Sequence, residues 1–139
     1  MNLSRREALW VGLGGLASAV LATPALSKTV DELTAAFTGG AAAGTGGITL
    51  TTPEIAENGN TVPVSVEAPG AVAIMLLAAG NPEPAVATFT FGPAAGSQMA
   101  ATRIRLAKTQ DVIALAKMAD GSIVQAQATV KVTIGGCGG

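Results

Sequence analysis

Histidine and tyrosine are absent from this 139-residue chain, and cysteine occurs once. The missing histidine removes the commonest general base, the commonest metal ligand and the Ser/His and Cys/His nucleophile pairs. A single cysteine closes no internal disulfide, and zinc sites need several Cys or His ligands. The chain therefore calls for no metal or other cofactor, supplies no catalytic residue, and reads as something other than an enzyme. Aromatics make up only 3% of the residues, so Ala, Val, Ile and Leu carry most of the 49% hydrophobic content. Such a core buries less area per residue than an aromatic one, and a permanent partner subunit would add to a modest stability. Charge is scarce and balanced, with 8 Lys+Arg against 9 Asp+Glu. That excludes the basic face a nucleic-acid binder turns to phosphates, and an acidic disordered tail. The length allows one domain.

What is present begins with an address. Residues 1–27 carry the three parts of an export signal. Its charged start is Ser4-Arg5-Arg6-Glu7-Ala8-Leu9-Trp10, its moderately apolar run covers 11–22, and Ala25-Leu26-Ser27 offers small residues for cleavage. The adjacent arginines resemble a twin-arginine leader. Ser4, Arg5, Arg6 and Leu9 match its Ser/Thr-Arg-Arg-x-Phe-Leu-Lys pattern; Ala8 and Trp10 depart from it, which leaves general secretion open. Gly12, Gly14 and Gly15 keep the run mildly hydrophobic, which suits the twin-arginine route better. The run is shorter than the roughly 20 apolar residues a spanning helix requires, so cleavage is expected rather than a membrane anchor. The mature chain is expected to start near Lys28, in a bacterial periplasm. That compartment is oxidising, and a lone thiol there is expected to have a use.

The body, 28–134, reads as a β-sandwich domain behind a short helix. Residues 30–37 place Asp31 and Glu32 in a first turn, with Leu33, Ala36 and Phe37 at helical spacing. The Gly/Ala/Thr segment 39–47 has no periodicity and is expected to be a flexible loop. Residues 48–51 form a short strand, and Asn58-Gly59-Asn60 is a turn signal. Val62, Val64 and Val66 alternate with Pro63, Ser65 and Glu67, as a half-buried strand does, and the proline suits an edge. The continuous run 71–78 (AVAIMLLA) suits a strand covered on both faces. Further alternation predicts strands at 85–91, 99–106 and 111–118. The longest spans 122–134, with Val124, Ala126, Ala128, Val130, Val132 and Ile134 sharing a face. About seven short strands with frequent turns predict an all-β, immunoglobulin-like antiparallel β-sandwich.

Candidate sites are few. Glu54 and Glu57 flank a turn with nothing to support them, as solvated carboxylates do. Arg103, Arg105 and Lys108 form a small basic strip, better read as a polar strand face than as an anion site. The tail Gly135-Gly136-Cys137-Gly138-Gly139 is different. A prenylation box needs three residues after its cysteine, and two follow Cys137. Glycines on both sides supply no packing for a buried structural cysteine. They do make a slim end with wide conformational freedom, so 135–139 reads as a swinging arm. Its thiol would enter a narrow site on another protein, which supplies the activation this chain lacks. An intermolecular disulfide stays open as an alternative.

The tail, the leader and two internal stretches together resemble the SoxY family, sulfur-carrier subunits of bacterial thiosulfate oxidation. The stretches are Glu57-Asn58-Gly59-Asn60-Thr61-Val62-Pro63-Val64 and the region from Phe89-Thr90-Phe91-Gly92-Pro93 to Arg103-Ile104-Arg105-Leu106. The resemblance implies a heterodimer with SoxZ, a second small β-sandwich protein. It implies covalent attachment of thiosulfate-derived intermediates to Cys137, with Gly135, Gly136, Gly138 and Gly139 as the flexible arm. It also implies transient visits to SoxAX, a c-type cytochrome that attaches thiosulfate oxidatively, and to SoxB, a manganese hydrolase that releases sulfate. Where present, SoxCD would oxidise the remaining sulfur. Two other classes compete. Ubiquitin-like sulfur carriers end in Gly-Gly and use an adenylated carboxylate with cytoplasmic ATP, which the export signal opposes. A structural subunit tethered by a disulfide is the other.

Overall fold

The computed structural model describes residues 28–136. The export signal expected over 1–27, and Cys137, Gly138 and Gly139, lie outside the described residues.

The first described element is the short helix that the early acids and the Leu33/Phe37 spacing predict. Helix α1, Val30–Thr38, opens with a capping box: the Glu32 N–H donates to the Thr29 hydroxyl, and the Thr29 N–H donates to the Glu32 carboxylate at 2.9 Å. It closes on Gly39 at φ 66°, a left-handed cap whose N–H returns to the Ala35 carbonyl. Its apolar stripe, Val30, Leu33 and Phe37, packs on Met75, Leu77, Leu115 and Ile123, on the outer face of the larger sheet. The Lys117 ammonium lies 5.3 Å from the centre of the Phe37 ring and seals the edge of that contact. Phe37 is half-buried, so Phe37→Ala is expected to cost about 1–2 kcal/mol, below the roughly 3–5 kcal/mol of a fully buried phenylalanine. A melting curve would show a fall of roughly 5–15 °C; an unchanged midpoint would mean the helix adds nothing to the domain.

The strands are β1 (Ala43–Thr45), β2 (Thr49–Thr51), β3 (Ile55–Asn58), β4 (Val62–Glu67), β5 (Ala71–Ala78), β6 (Ala85–Thr90), β7 (Met99–Ile104), β8 (Gln110–Met118) and β9 (Ile123–Ile134). They form an immunoglobulin-like β-sandwich. The larger sheet runs β1-β9-β8-β5-β6, with β3 also on β9; the smaller runs β2-β4-β7. Val62, Val64 and Val66 of β4 and Ile104 and Leu106 face Ile74, Leu76, Val112, Ala114 and Val130 across a buried core. The continuous run of β5 is covered on both sides, as its sequence predicts. Ile74, Leu76 and Ala78 enter this core, whereas Met75 and Leu77 lie under α1. Pro63 sits in the middle strand of the smaller sheet rather than at an edge. It is tolerated because β2 pairs only with residues 65–67, short of the proline.

Two short strands depart from the sequence reading. The segment 39–47, expected as a loop, contains β1, which pairs parallel with the start of β9 (Ala43↔Ile123). The residues before the Asn58-Gly59 turn form β3, parallel to the end of β9 (Ile55↔Lys131, Asn58↔Ile134). Both bind through backbone, with few buried side chains, so no apolar alternation marks them. One at each end, they cover residues 123–125 and 131–134 of the far edge of the longest strand and shorten the open edge that would invite pairing with another chain.

At the other end of β9, the β8–β9 turn is fixed by Asp120, whose carboxylate accepts from the Ser122 hydroxyl at 2.6 Å and its N–H at 2.9 Å. These bonds, the hydroxyl's first, hold the Asp120 carboxyl below its ordinary 3.8. The turn's contribution is therefore present above about pH 4 and fades as pH falls through the lowered value.

Candidate functional site

The tail leaves the domain from the overhanging end of β9. Pairing with β8 stops at Gln110↔Val130, but β9 runs on to Ile134. The overhang is held from both sides. On one, β3 pairs with it and the Lys131 N–H donates to the Glu54 carbonyl at 2.9 Å. On the other, the Val132 N–H donates to the Thr109 hydroxyl at 2.9 Å.

Beyond Ile134 the chain stays attached. The Gly59 N–H donates to the Ile134 carbonyl at 2.7 Å, the Leu106 N–H donates to the Gly59 carbonyl at 2.7 Å, and the Gly136 N–H donates to the Leu106 carbonyl at 2.8 Å. Gly59 and Gly136 are buried, whereas Gly135 is exposed. The glycines matter here because they lack a β-carbon. A methyl group at Gly59 would overlap the Leu106 carbonyl oxygen and stand 2.8 Å from the Gly136 nitrogen and 2.9 Å from a Val132 methyl. One at Gly135 would overlap the Ala107 carbonyl oxygen, and one at Gly136 would lie 3.0 Å from the Gly59 oxygen. None of the three has the positive φ that glycine usually supplies in turns. The first two glycines of the expected arm are thus a packed root, and the anchored backbone extends to Gly136 rather than ending at Ile134.

The other wall of the root is the segment after β7, 105–108, which has no strand partner of its own. Two amide side chains hold it. The Asn81 amide donates to the Arg105 carbonyl at 2.8 Å, and its oxygen accepts from the Ala107 N–H at 2.9 Å. The buried Gln110 amide donates to that same Asn81 oxygen at 2.8 Å and to the Lys108 carbonyl at 3.0 Å, and it accepts from the Gly80 N–H at 2.9 Å. In the sequence neither Asn81 nor Gln110 stands out as a candidate. A signal was present: Gln110 continues the inward series Val112, Ala114, Ala116, and a polar group at an inward position implies a buried hydrogen-bond hub.

The remaining candidates do not converge on a site. Glu54 and Glu57 are exposed; Arg103 reaches the Thr61 hydroxyl at 3.5 Å; and Arg105 and Lys108 are exposed on either side of Leu106 and Ala107. Among the described residues no three His, Cys, Asp or Glu side chains group as metal ligands. Cys137, Gly138 and Gly139 are outside the described residues, and the last placed residue, Gly136, is the immediate neighbour of the cysteine.

Comparison with known proteins finds similarity in sequence and in fold. Residues 34–137 match the family model of the sulfur oxidation protein SoxY. The solved structure of the sulfur carrier protein SoxY from Chlorobium limicola f thiosulfatophilum is similar over 76% of this chain and 97% of its own. It has 35% sequence identity and a TM-score of 0.67. A superoxide reductase (neelaredoxin) from Ignicoccus hospitalis is similar over 77% of this chain and 95% of its own, with 18% identity and a TM-score of 0.55. A further solved structure, from Thermotoga maritima, has 15% identity and a TM-score of 0.52 over 61% of this chain and 84% of its own. These last two share the fold alone. No curated relative matches the chain.

Proposed function

This chain belongs to the SoxY family of sulfur oxidation proteins, and from that premise we propose that it carries thiosulfate-derived sulfur on the thiol of Cys137 in the periplasm. The observation that supports the reading is the fixed root. Gly136 is bonded to Leu106 at the tip of a rigid strand, so the one cysteine is attached next to an anchored point while the domain stays clear of whatever receives it. With no histidine in the chain to activate the thiol, its chemistry is supplied by visiting enzymes.

The sequence of steps balances simply. Oxidative attachment removes two electrons to a cytochrome of the SoxAX kind and releases the thiol proton to solvent, as a bond forms between the Cys137 sulfur and the outer sulfur of thiosulfate. Hydrolysis by an enzyme of the SoxB kind then consumes one water, releases sulfate and two protons, and leaves a persulfide on the cysteine. A SoxCD-type enzyme would oxidise that remaining sulfur. SoxZ is the proposed permanent partner, and residues 1–27 are the proposed twin-arginine export signal that places the mature chain in the periplasm.

A chase experiment tests the carrier role. The chain, with its partner subunit, is loaded by the oxidising enzyme from thiosulfate labelled in its sulfonate sulfur, the one that leaves as sulfate, then freed of small molecules and offered to the hydrolase. Labelled sulfate is expected to appear in step with loss of label from the chain. Label that stays on the chain through the chase would contradict the proposal.

A further inference from the structure

We propose that Asn81 is a positioning residue for the carrier arm, acting with Gln110 through the segment 105–108 to hold the carbonyl on which the arm is hinged. The inference rests on the carrier reading for its functional meaning, but its geometry stands on described residues. Between Ile104, where β7 ends, and Gln110, where β8 begins, the backbone has no ladder to fix it. The Asn81 side chain supplies the missing order by bracketing Leu106, donating to the carbonyl of Arg105 and accepting from the N–H of Ala107. Gln110 orients Asn81 by donating to the same oxygen, and is itself fixed by the Gly80 N–H. Leu106 lies at the centre of this bracket. Its side chain is fully buried in the core, its N–H holds Gly59, and its carbonyl holds Gly136.

A hinge at this bond would have two positions. With the Gly136 N–H on Leu106, the arm begins next to Cys137. With that bond open, Gly135 and Gly136 join the arm and lengthen it by roughly 7 Å at 3.3–3.6 Å per residue. Asn81 sets the balance, since its bond from the Ala107 N–H restrains the peptide group whose Leu106 carbonyl accepts from Gly136. An arm that is short at rest keeps the thiol and its adducts near the domain; an opened one reaches into a deep site on a visiting enzyme.

The test compares the full chain carrying Asn81→Ala, and separately Asn81→Asp, with the wild type, each paired with its partner subunit. Asn81→Asp keeps both accepted bonds and loses the donated one, so it remains informative if the alanine variant does not fold. Two quantities are read: amide exchange at Gly136 relative to the core amides of β5 and β8, and the rates at which Cys137 reacts with a bulky and a small thiol reagent. For Asn81→Ala, Gly136 exchange is expected to rise about tenfold or more with the core unchanged, the loss expected of roughly one hydrogen bond's restraint. The bulky-to-small rate ratio is expected to rise as well, and Asn81→Asp to fall between. If Gly136 exchange changes only in proportion to the core amides, or the reagent ratio does not move, Asn81 is merely structural and the inference is overturned. Neither readout uses thiosulfate. A chain that loads no cargo therefore fails the carrier proposal without touching this one.

Discussion

Gly59→Ala is expected to destabilise the domain by about 2–4 kcal/mol and to release the root of the tail. The added methyl group would stand inside contact distance of three neighbours, the Leu106 carbonyl oxygen, the Gly136 nitrogen and a Val132 methyl. Two of these are backbone, and cannot swing aside as the end of a flexible side chain would. Overpacking of this kind costs about 1–3 kcal/mol. Relief by backbone movement lengthens the Gly59–Ile134, Leu106–Gly59 and Gly136–Leu106 hydrogen bonds, each worth roughly 0.5–1.5 kcal/mol net. Those routes are alternatives in part, so the total stays below their sum. At about 4–8 °C per kcal/mol for a domain of this size, the melting midpoint is expected to fall by roughly 10–25 °C. A substitution that leaves the midpoint within a degree or two would show that the close approach at Gly59 is not a constraint.

Cys137→Ser is expected to abolish sulfur carriage while leaving the domain intact. A serine hydroxyl forms no bond to a thiosulfate sulfur under two-electron oxidation, and no other cysteine stands in. Sulfate release by the reconstituted enzymes is expected to drop to the level seen without this chain. Serine differs from cysteine by one atom and the described contacts of the root involve residues up to Gly136, so stability is expected to stay within about 0.5 kcal/mol. A carrier that worked through its terminal carboxylate would keep its activity in this variant. A disulfide-tethered subunit would instead lose a covalent dimer from non-reducing gels. The two measurements together separate the three roles.

Long patterned strands were legible because their side chains report burial directly. The alternation of β4 and the continuous run of β5 specify covered faces, and the structure buries Val62, Val64, Val66 and residues 74–78; on β9 the same pattern overstates burial, since Val130 is buried while Ile134, on the overhang, is exposed. β1 and β3 were not legible. Their pairing is parallel, distant in sequence and carried by backbone, so Ala43-Gly44-Thr45 has the composition of a loop while behaving as an edge strand. The tail root was misjudged for a related reason. Glycine in sequence signals conformational freedom, but at Gly59 and Gly135 its value is the missing β-carbon that lets two backbones touch, and which role applies depends on a neighbour distant along the chain, Leu106 for Gly59 and Ala107 for Gly135. Gln110 was readable in principle, as a polar side chain in an inward series. Asn81, between Gly80 and Pro82, had the ordinary look of a turn.

The central claim is that Cys137 is where the cargo rides, and one measurement meets it directly. The exported chain, with its partner subunit, is exposed to thiosulfate and the oxidising enzyme, weighed intact, and then digested and sequenced by mass. The account predicts added masses matching thiosulfate-derived sulfur, removed by reductant and confined to the C-terminal peptide that contains Cys137. Added masses on any other peptide, or none on a chain whose partner enzymes are shown to be active, would contradict it.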